Sequence, residues 1–198
     1  MCFFKAFRIK RLTKKIMALQ QHRLNHQVRD EDIKQECMIY HKLYYLYTKM
    51  RGNKHYPFAL ETAIECLRVA AQLHDVEAQF IIGKHFLEEA NWRAELEQNK
   101  IFASARNQKL MHDLFSDAHA YLAEGDKEGH ILAKRYYGLC FIFGWGTAVD
   151  KDKGFALVVE SIAKENAWSK APQIFAQLGL NKPEFYEAFT KQQAKHTS

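Results

Sequence analysis

Apolar residues recur at steps of three and four along most of this chain, which is the period of amphipathic α-helices. The pattern predicts helices through 33–47, 58–70, from Val76 onward, through 132–141, 152–163, about 169–178 and 183–193. Two long helices with a turn near Asn99-Lys100 are expected between Gly83 and Gly125, because that stretch contains no Gly or Pro. Asp152 is the predicted N-cap of its helix. The fold class predicted is all-α.

Charge is concentrated at the N-terminus. Residues 1–27 hold seven basic side chains and no acid, whereas the whole 198-residue chain has a net charge of +6. The remaining 22 basic and 23 acidic residues give a net of −1. The body therefore gives no reason to expect nucleic acid as a partner. No apolar run approaches the roughly 20 residues that a membrane span requires.

Small residues mark a recurring block. The stretch from Val69 to Gly83 returns in altered form around 133–138 and around 163–176. Recurrence at intervals of roughly 30–55 residues indicates that one helical unit is stacked repeatedly. Ala and Gly at these positions would let neighbouring helices approach closely, with larger apolar residues filling the gaps.

The best-formed block is Ala133…Tyr137-Gly138-x-x-Phe141-x-x-Gly144-x-Gly146, followed by Phe155-Ala156…Ile162-Ala163…Asn166. It resembles the Sel-one-like repeat family, a relative of the tetratricopeptide repeat, and the resemblance extends over roughly 32–178. It implies an α-solenoid of three to four antiparallel helix pairs at 28–181, a capping helix and frayed end at 182–198, and a non-catalytic scaffold that binds a protein. The unit near Val76 departs from the family pattern, because it lacks the Gly-x-Gly loop and carries a helical extension over 88–104.

The family resemblance also suggests where a partner would bind. In tetratricopeptide arrays, the first helix of each pair lines a concave groove, and cations with aromatics there suit a peptide or helix that carries carboxylates. A competing interpretation places several of these side chains in the core. The groove residues implied are His41, Tyr45, Lys49, Phe80, Lys84, Leu87, Arg135, Leu139 and Ile142.

Residues 1–27 allow three interpretations. In the first, they are a disordered basic tail, or the true start is Met17 and residues 1–16 are not translated. In the second, they form a helix at an anionic membrane surface, with Cys2 as a possible acylation site. In the third, they pack on the first repeat as a cap. The expected location is cytoplasmic or peripheral at the inner membrane face, with secretion as an effector left open. The candidate membrane contacts are Phe3, Phe4, Phe7, Lys10, Arg11, Lys14 and Lys15.

Catalytic and metal-binding patterns are weak in this sequence. The pairs His22/His26 and Cys37/His41 have helical metal-ligand spacing, but each lacks a third ligand nearby. Glu88, Glu89, Glu95 and Glu97 alternate with basic residues, which is typical of a solvated, salt-bridged helix. No nucleophile elbow, phosphate loop or dinucleotide fingerprint occurs. No enzyme activity, cofactor or metal is expected, and the four scattered cysteines are expected to be reduced and mostly buried.

Overall fold

The computed structural model describes residues 2–25, 29–101 and 103–197, with side chains described from residue 4 to residue 194. The described residues form helices without any strand, so the predicted all-α class is confirmed. The helices are α1 (Cys2–Asn25), α2 (Asp30–Thr48), α3 (Ala59–Gln72), α4 (Val76–Gln98), α5 (Ala105–Lys127), α6 (Ile131–Phe143), α7 (Lys151–Lys164), α8 (Ala171–Gln177) and α9 (Pro183–Thr197), with a 3₁₀ turn at Trp168–Lys170.

The helix ends follow local chemistry. Ser104 caps α5 by accepting a hydrogen bond from the backbone N–H of Asn107, and Asp150 caps α7 by accepting from that of Lys153. The prediction of Asp152 as the cap of α7 is wrong by two residues. Asp150 has the extended φ of −142° that leaves its side chain free to cap, whereas Asp152 already lies in the first turn of the helix.

The chain divides into two compact units, unit 1 (1–82) and unit 2 (83–198), and the division falls within α4. In unit 1, α2 packs against α1 on one side and against α3 on another. Ala63, Leu67 and Ala70 of α3 are fully buried, and Ile9 and Ile16 bury one face of α1. Burying such apolar side chains supplies roughly 1.5–3 kcal/mol for each large one.

Residues 2–25 form a helix that packs on α2, and whether it caps a repeat stays a prediction. Its polar residues add contacts with α2, because Gln20 donates to Tyr40 and Arg23 lies 3.3 Å from the buried carboxylate of Glu36. The side chains of Cys2 and Phe3, and the whole of His26, lie outside the described residues. The predictions that concern them therefore have no structural counterpart.

In unit 2, α6 and α7 approach so closely that their backbones meet. A Cβ atom built on Gly138 would lie 2.7 Å from the carbonyl oxygen of Gly154, and one on Gly154 would lie 2.6 Å from that of Gly138. A Cβ on Gly83 of α4 would lie 2.8 Å from Leu122 of α5. Both predicted close-approach positions, Gly83 and Gly138, therefore lie at helix contacts, where only glycine fits without displacing a neighbour.

The loop after α6 is also as predicted. Gly144 and Gly146 adopt φ values of 73° and 69°, a left-handed conformation that disfavours other residues. Beyond it, α7, α8 and α9 enclose an apolar cluster that joins them to α6. Its buried members are Leu139, Ile142, Phe155, Val158, Ile162, Ala167, Ala171, Ile174, Phe175, Leu180 and Phe185.

Candidate functional site

A groove of about 310 Å³ opens between α1 and α2 in unit 1. It exists because α2 has two different faces: one stripe packs inward, while Met38, Lys42, Tyr45 and Lys49 follow each other outward at steps of four, three and four. The groove is lined by Arg8, Met38, His41, Lys42, Tyr45 and Leu46. It therefore combines cations with exposed apolar and aromatic surface.

Tyr45 is the most accessible aromatic residue of this groove, with 57% of its surface exposed. The ammonium group of Lys49 lies 4.1 Å from the ring centroid, and it also donates a hydrogen bond to the phenol oxygen. That hydrogen bond lowers the pKa of Tyr45 below its ordinary value, and the charges of Lys49, Lys5 and Arg8 act in the same direction. A ring with this many cations around it suits a negatively charged ligand.

His41 anchors the groove to the rest of unit 1. Its Nε2 lies 2.8 Å from Oδ1 of Asp75, and the same oxygen accepts a hydrogen bond from the backbone N–H of Ala78 at the start of α4. The hydrogen bond to Asp75 raises the pKa of His41, although burial opposes it. Burial favours the neutral acid at Asp75, yet the bonds from His41 and Ala78 hold its pKa below the ordinary value. His41 therefore serves first as half of a structural ion pair.

A second groove, of about 380 Å³, lies in unit 2 on the helical extension. Trp92 is 55% exposed at its edge, and the buried Asn107 forms its floor. It is lined by Trp92, Arg93, Leu96, Ser104, Arg106, Asn107 and Leu110.

The buried and half-buried polar groups of this second groove bond to one another. Arg93 donates twice to one oxygen of Glu89, at 2.7 and 3.1 Å, and once to the side-chain oxygen of Asn107. Asn107 in turn donates to Glu97 and to the backbone carbonyl of Arg93. The charges of Arg93 and Glu89 are therefore already paired, whereas Arg106 is an exposed cation of the lining.

The remaining residues of the predicted groove lie elsewhere. Phe80, Leu87, Leu139 and Ile142 are only 2–9% exposed and belong to the core, so they offer no surface to a partner. The family mapping placed them on an open face, but the helices that carry them are covered on that side by neighbours. Lys84 is partly exposed, lying 3.4 Å from Glu88 and 5.8 Å from the centroid of the Tyr136 ring.

Arg135 is buried as well, at 6% exposed. Its Nε donates to the hydroxyl of Ser161 at 3.0 Å, and its guanidinium pairs with Glu165 beyond the end of α7. The adjacent Lys134 lies 2.8 Å from Asp126 and 3.3 Å from Glu160. These basic residues of α6 join helices to each other and are not available as ligand-binding groups.

Sequence reasoning found His41, Tyr45 and Lys49 but missed Arg8, Met38 and Lys42. For Met38 and Lys42 a signal existed, since both share the outward stripe of Tyr45 and Lys49. No sequence signal brings Arg8 to the groove, because that placement depends on how α1 packs against α2.

The acidic extension behaves as predicted. Glu88 pairs with Lys84, Glu89 pairs with Arg93, and Glu97 accepts hydrogen bonds from Asn107 and Gln108. Those two hydrogen bonds lower the pKa of Glu97. These carboxylates therefore form a salt-bridged and hydrogen-bonded helix surface.

The candidate metal pairs are occupied by other interactions. Nδ1 of His22 lies 3.8 Å from Asp32, and His41 is paired with Asp75. Within the described part of the chain, no three His, Cys, Asp or Glu side chains come together as metal ligands would. No helix in that part is both long and apolar enough to cross a bilayer.

The described cysteines Cys37, Cys66 and Cys140 are free and buried, as predicted. Burial raises the pKa of Cys37 and Cys66 to about 11 and that of Cys140 to about 12. These thiols are therefore protonated near neutral pH and poorly suited to act as nucleophiles.

Comparison with known proteins adds no family to this picture. No protein-family model matches the chain, and no curated protein is significantly similar to it. The resemblance to Sel-one-like repeats remains a prediction from the sequence motifs alone.

Proposed function

We propose that this chain is a non-catalytic adaptor, built from Sel-one-like helix pairs stacked as an α-solenoid, and that the α1–α2 groove binds an acidic segment of a partner protein. The main support is the outward stripe of α2, in which Met38 and Tyr45 alternate with Lys42 and Lys49. Alternation of apolar and cationic side chains recognises a segment in which carboxylates alternate with apolar residues.

Charge complementarity favours this occupant. Between Cys37 and Leu60 the sequence contains no Asp or Glu, and none occurs before Asp30. The carboxylate that lies against the groove wall is Asp75, and its charge is already engaged by His41. A ligand carboxylate entering beside Arg8 and Lys42 would therefore meet little repulsion.

A peptide-selection experiment tests the proposal and does not require the partner to be identified first. Random peptides displayed on phage would be selected on the full-length protein, and the selected peptides then synthesised for fluorescence anisotropy. We expect them to be enriched in Asp and Glu next to an apolar residue. Lys42→Glu and Tyr45→Ala should each weaken their binding by about tenfold or more, since hot-spot losses are of order 1–2 kcal/mol.

Lys182→Glu is the matched control, because it makes the same change of charge at an exposed lysine of unit 2. It should leave peptide affinity within about threefold. Selected peptides without acidic residues, or equal losses in Lys42→Glu and Lys182→Glu, would contradict the proposed site.

A further inference from the structure

The outward face of α1 is distinct from the groove. Ile9 and Ile16 occupy the buried face of this helix. The opposite face presents Phe4, 75% exposed, and Phe7, 60% exposed. Exposed cations continue the same face toward the middle of the helix, namely Lys10, Arg11, Lys14 and Lys15.

Nothing in the described fold neutralises these cations. Among the described residues, no ion pair joins Lys10, Arg11, Lys14 or Lys15 to a carboxylate. The acids of α2 that meet α1 lie near its other end, where Glu36 faces Arg23 and Asp32 faces His22. The first two-thirds of α1 therefore forms a cationic surface with two phenylalanines at its outer end.

We propose that this face of α1 docks the protein on a membrane surface that contains anionic phospholipid. Lys10, Arg11, Lys14 and Lys15 would lie among the headgroups, and Phe4 and Phe7 would enter the interfacial layer. Each Lys or Arg close to an anionic leaflet strengthens binding roughly fivefold, so four of them suffice for reversible recruitment.

The aromatic pair favours a lipid surface over nucleic acid. Phe4 and Phe7 are one turn apart on the exposed face, and aromatic side chains beside Lys and Arg suit the interfacial layer of a bilayer. A duplex would contact the lysines and arginines through its phosphates and would leave these rings in water. Binding is expected to be shallow, because the Ile9–Ile16 stripe is already used in packing against α2.

Vesicle flotation with the full-length protein tests the proposal. Phosphatidylcholine vesicles with phosphatidylserine should carry the protein, whereas vesicles of phosphatidylcholine alone should not. The triple variant Arg11→Glu, Lys14→Glu and Lys15→Glu should lower the partition coefficient by at least about a hundredfold, since it removes three cations and adds three anions. Phe4→Ser with Phe7→Ser should lower it by roughly tenfold while all cations remain.

The matched control is the triple variant Lys170→Glu, Lys182→Glu and Lys191→Glu, which makes the same change of charge at exposed positions of unit 2. It should partition within about threefold of the original chain. Equal losses in the two triple variants would overturn the proposal, as would failure of the original chain to float. Circular dichroism would verify that both triple variants retain their helices.

Two further arms separate this surface from the alternatives. Duplex DNA that binds more tightly than the vesicles, with no effect of Phe4→Ser and Phe7→Ser, would assign the face to nucleic acid and overturn the proposal. The groove variant Lys42→Glu should lose its selected peptides but still float. This outcome distinguishes failure of the membrane surface from failure of the proposed function.

Discussion

Units 1 and 2 differ in how they use charge. Unit 1 has 14 Lys and Arg against 8 Asp and Glu, a net of +6, whereas unit 2 has 15 against 15. In unit 2, basic residues such as Lys134 and Arg135 are buried and paired with acids of neighbouring helices. In unit 1, many cations face outward. The comparison is in keeping with the proposal that unit 1 selects the partner, since the buried cations of unit 2 join its own helices.

The largest expected effect comes from Arg135→Ala. This change leaves Ser161 and Glu165 without the guanidinium that satisfies them, so we expect the free energy of unfolding to fall by about 3 kcal/mol. Urea denaturation would measure the loss, with Lys170→Ala as the exposed control. Peptide affinity of the folded variant should not change. If Arg135→Ala lost peptide binding but kept its full stability, Arg135 would be a ligand-binding residue and unit 2 would take part in binding the partner.

A somewhat smaller loss is expected for Gly138→Ala in the α6–α7 contact. The added methyl group would overlap the carbonyl oxygen of Gly154, which cannot rotate away as a side chain could. The free energy of unfolding should fall by about 2 kcal/mol, despite the better helix propensity of alanine. Asp117→Ala is the control, because it raises helix propensity at an exposed position of α5 without adding an atom to a helix contact. Equal stability of Gly138→Ala and the original chain would show that α6 and α7 lie farther apart than the contact between Gly138 and Gly154 requires.

The pH dependence of unit 1 gives a third, smaller effect. Because Asp75 raises the pKa of His41 above its ordinary 6.5, the ion pair contributes fully below pH 6.5 and is lost as the pH rises through the raised value. Asp75→Asn removes the charge but keeps an oxygen for the N–H of Ala78. The difference in melting temperature between the original chain and this variant should be larger at about pH 6 than at about pH 9.

An equal difference in melting temperature at both pH values would show that Asp75 does not raise the pKa of His41. Glu77 also raises the pKa of His41, so in a Glu77→Gln background the effect of Asp75→Asn on the melting temperature at about pH 6 should be slightly smaller. Tyr45→Phe, on the exposed face of the same helix, should leave the pH dependence unchanged.

The sequence allowed good prediction of helices and of close contacts between them. Apolar periodicity located the helices, and Gly138, Gly144 and Gly146 lie where small or left-handed residues were expected. The groove was harder, because periodicity shows which residues share a stripe but not how many neighbours cover the helix. Leu139 and Ile142 belong to α6, which is buried on most sides, and so a stripe that suggested a groove is core.

The α1–α2 groove was predictable only in part for a related reason. Tyr45 and Lys49 are off the apolar stripe of α2, so their exposure follows from the sequence. The arrival of Arg8 beside them depends on α1 packing through Ile9 and Ile16, which no local pattern specifies. The cationic residues of α1, by contrast, were identified from the sequence as candidate membrane contacts, and the structure adds that Ile9 and Ile16 occupy the opposite, buried face.

The most direct test of the account is an amide correlation spectrum of the ¹⁵N-labelled full-length chain, titrated with a selected acidic peptide. If unit 1 selects the partner, the resonances that shift will belong to α1 and α2, centred on Met38, Lys42 and Tyr45. Shifts centred on Trp92 and Leu110 of unit 2, with those of α2 unmoved, would contradict it.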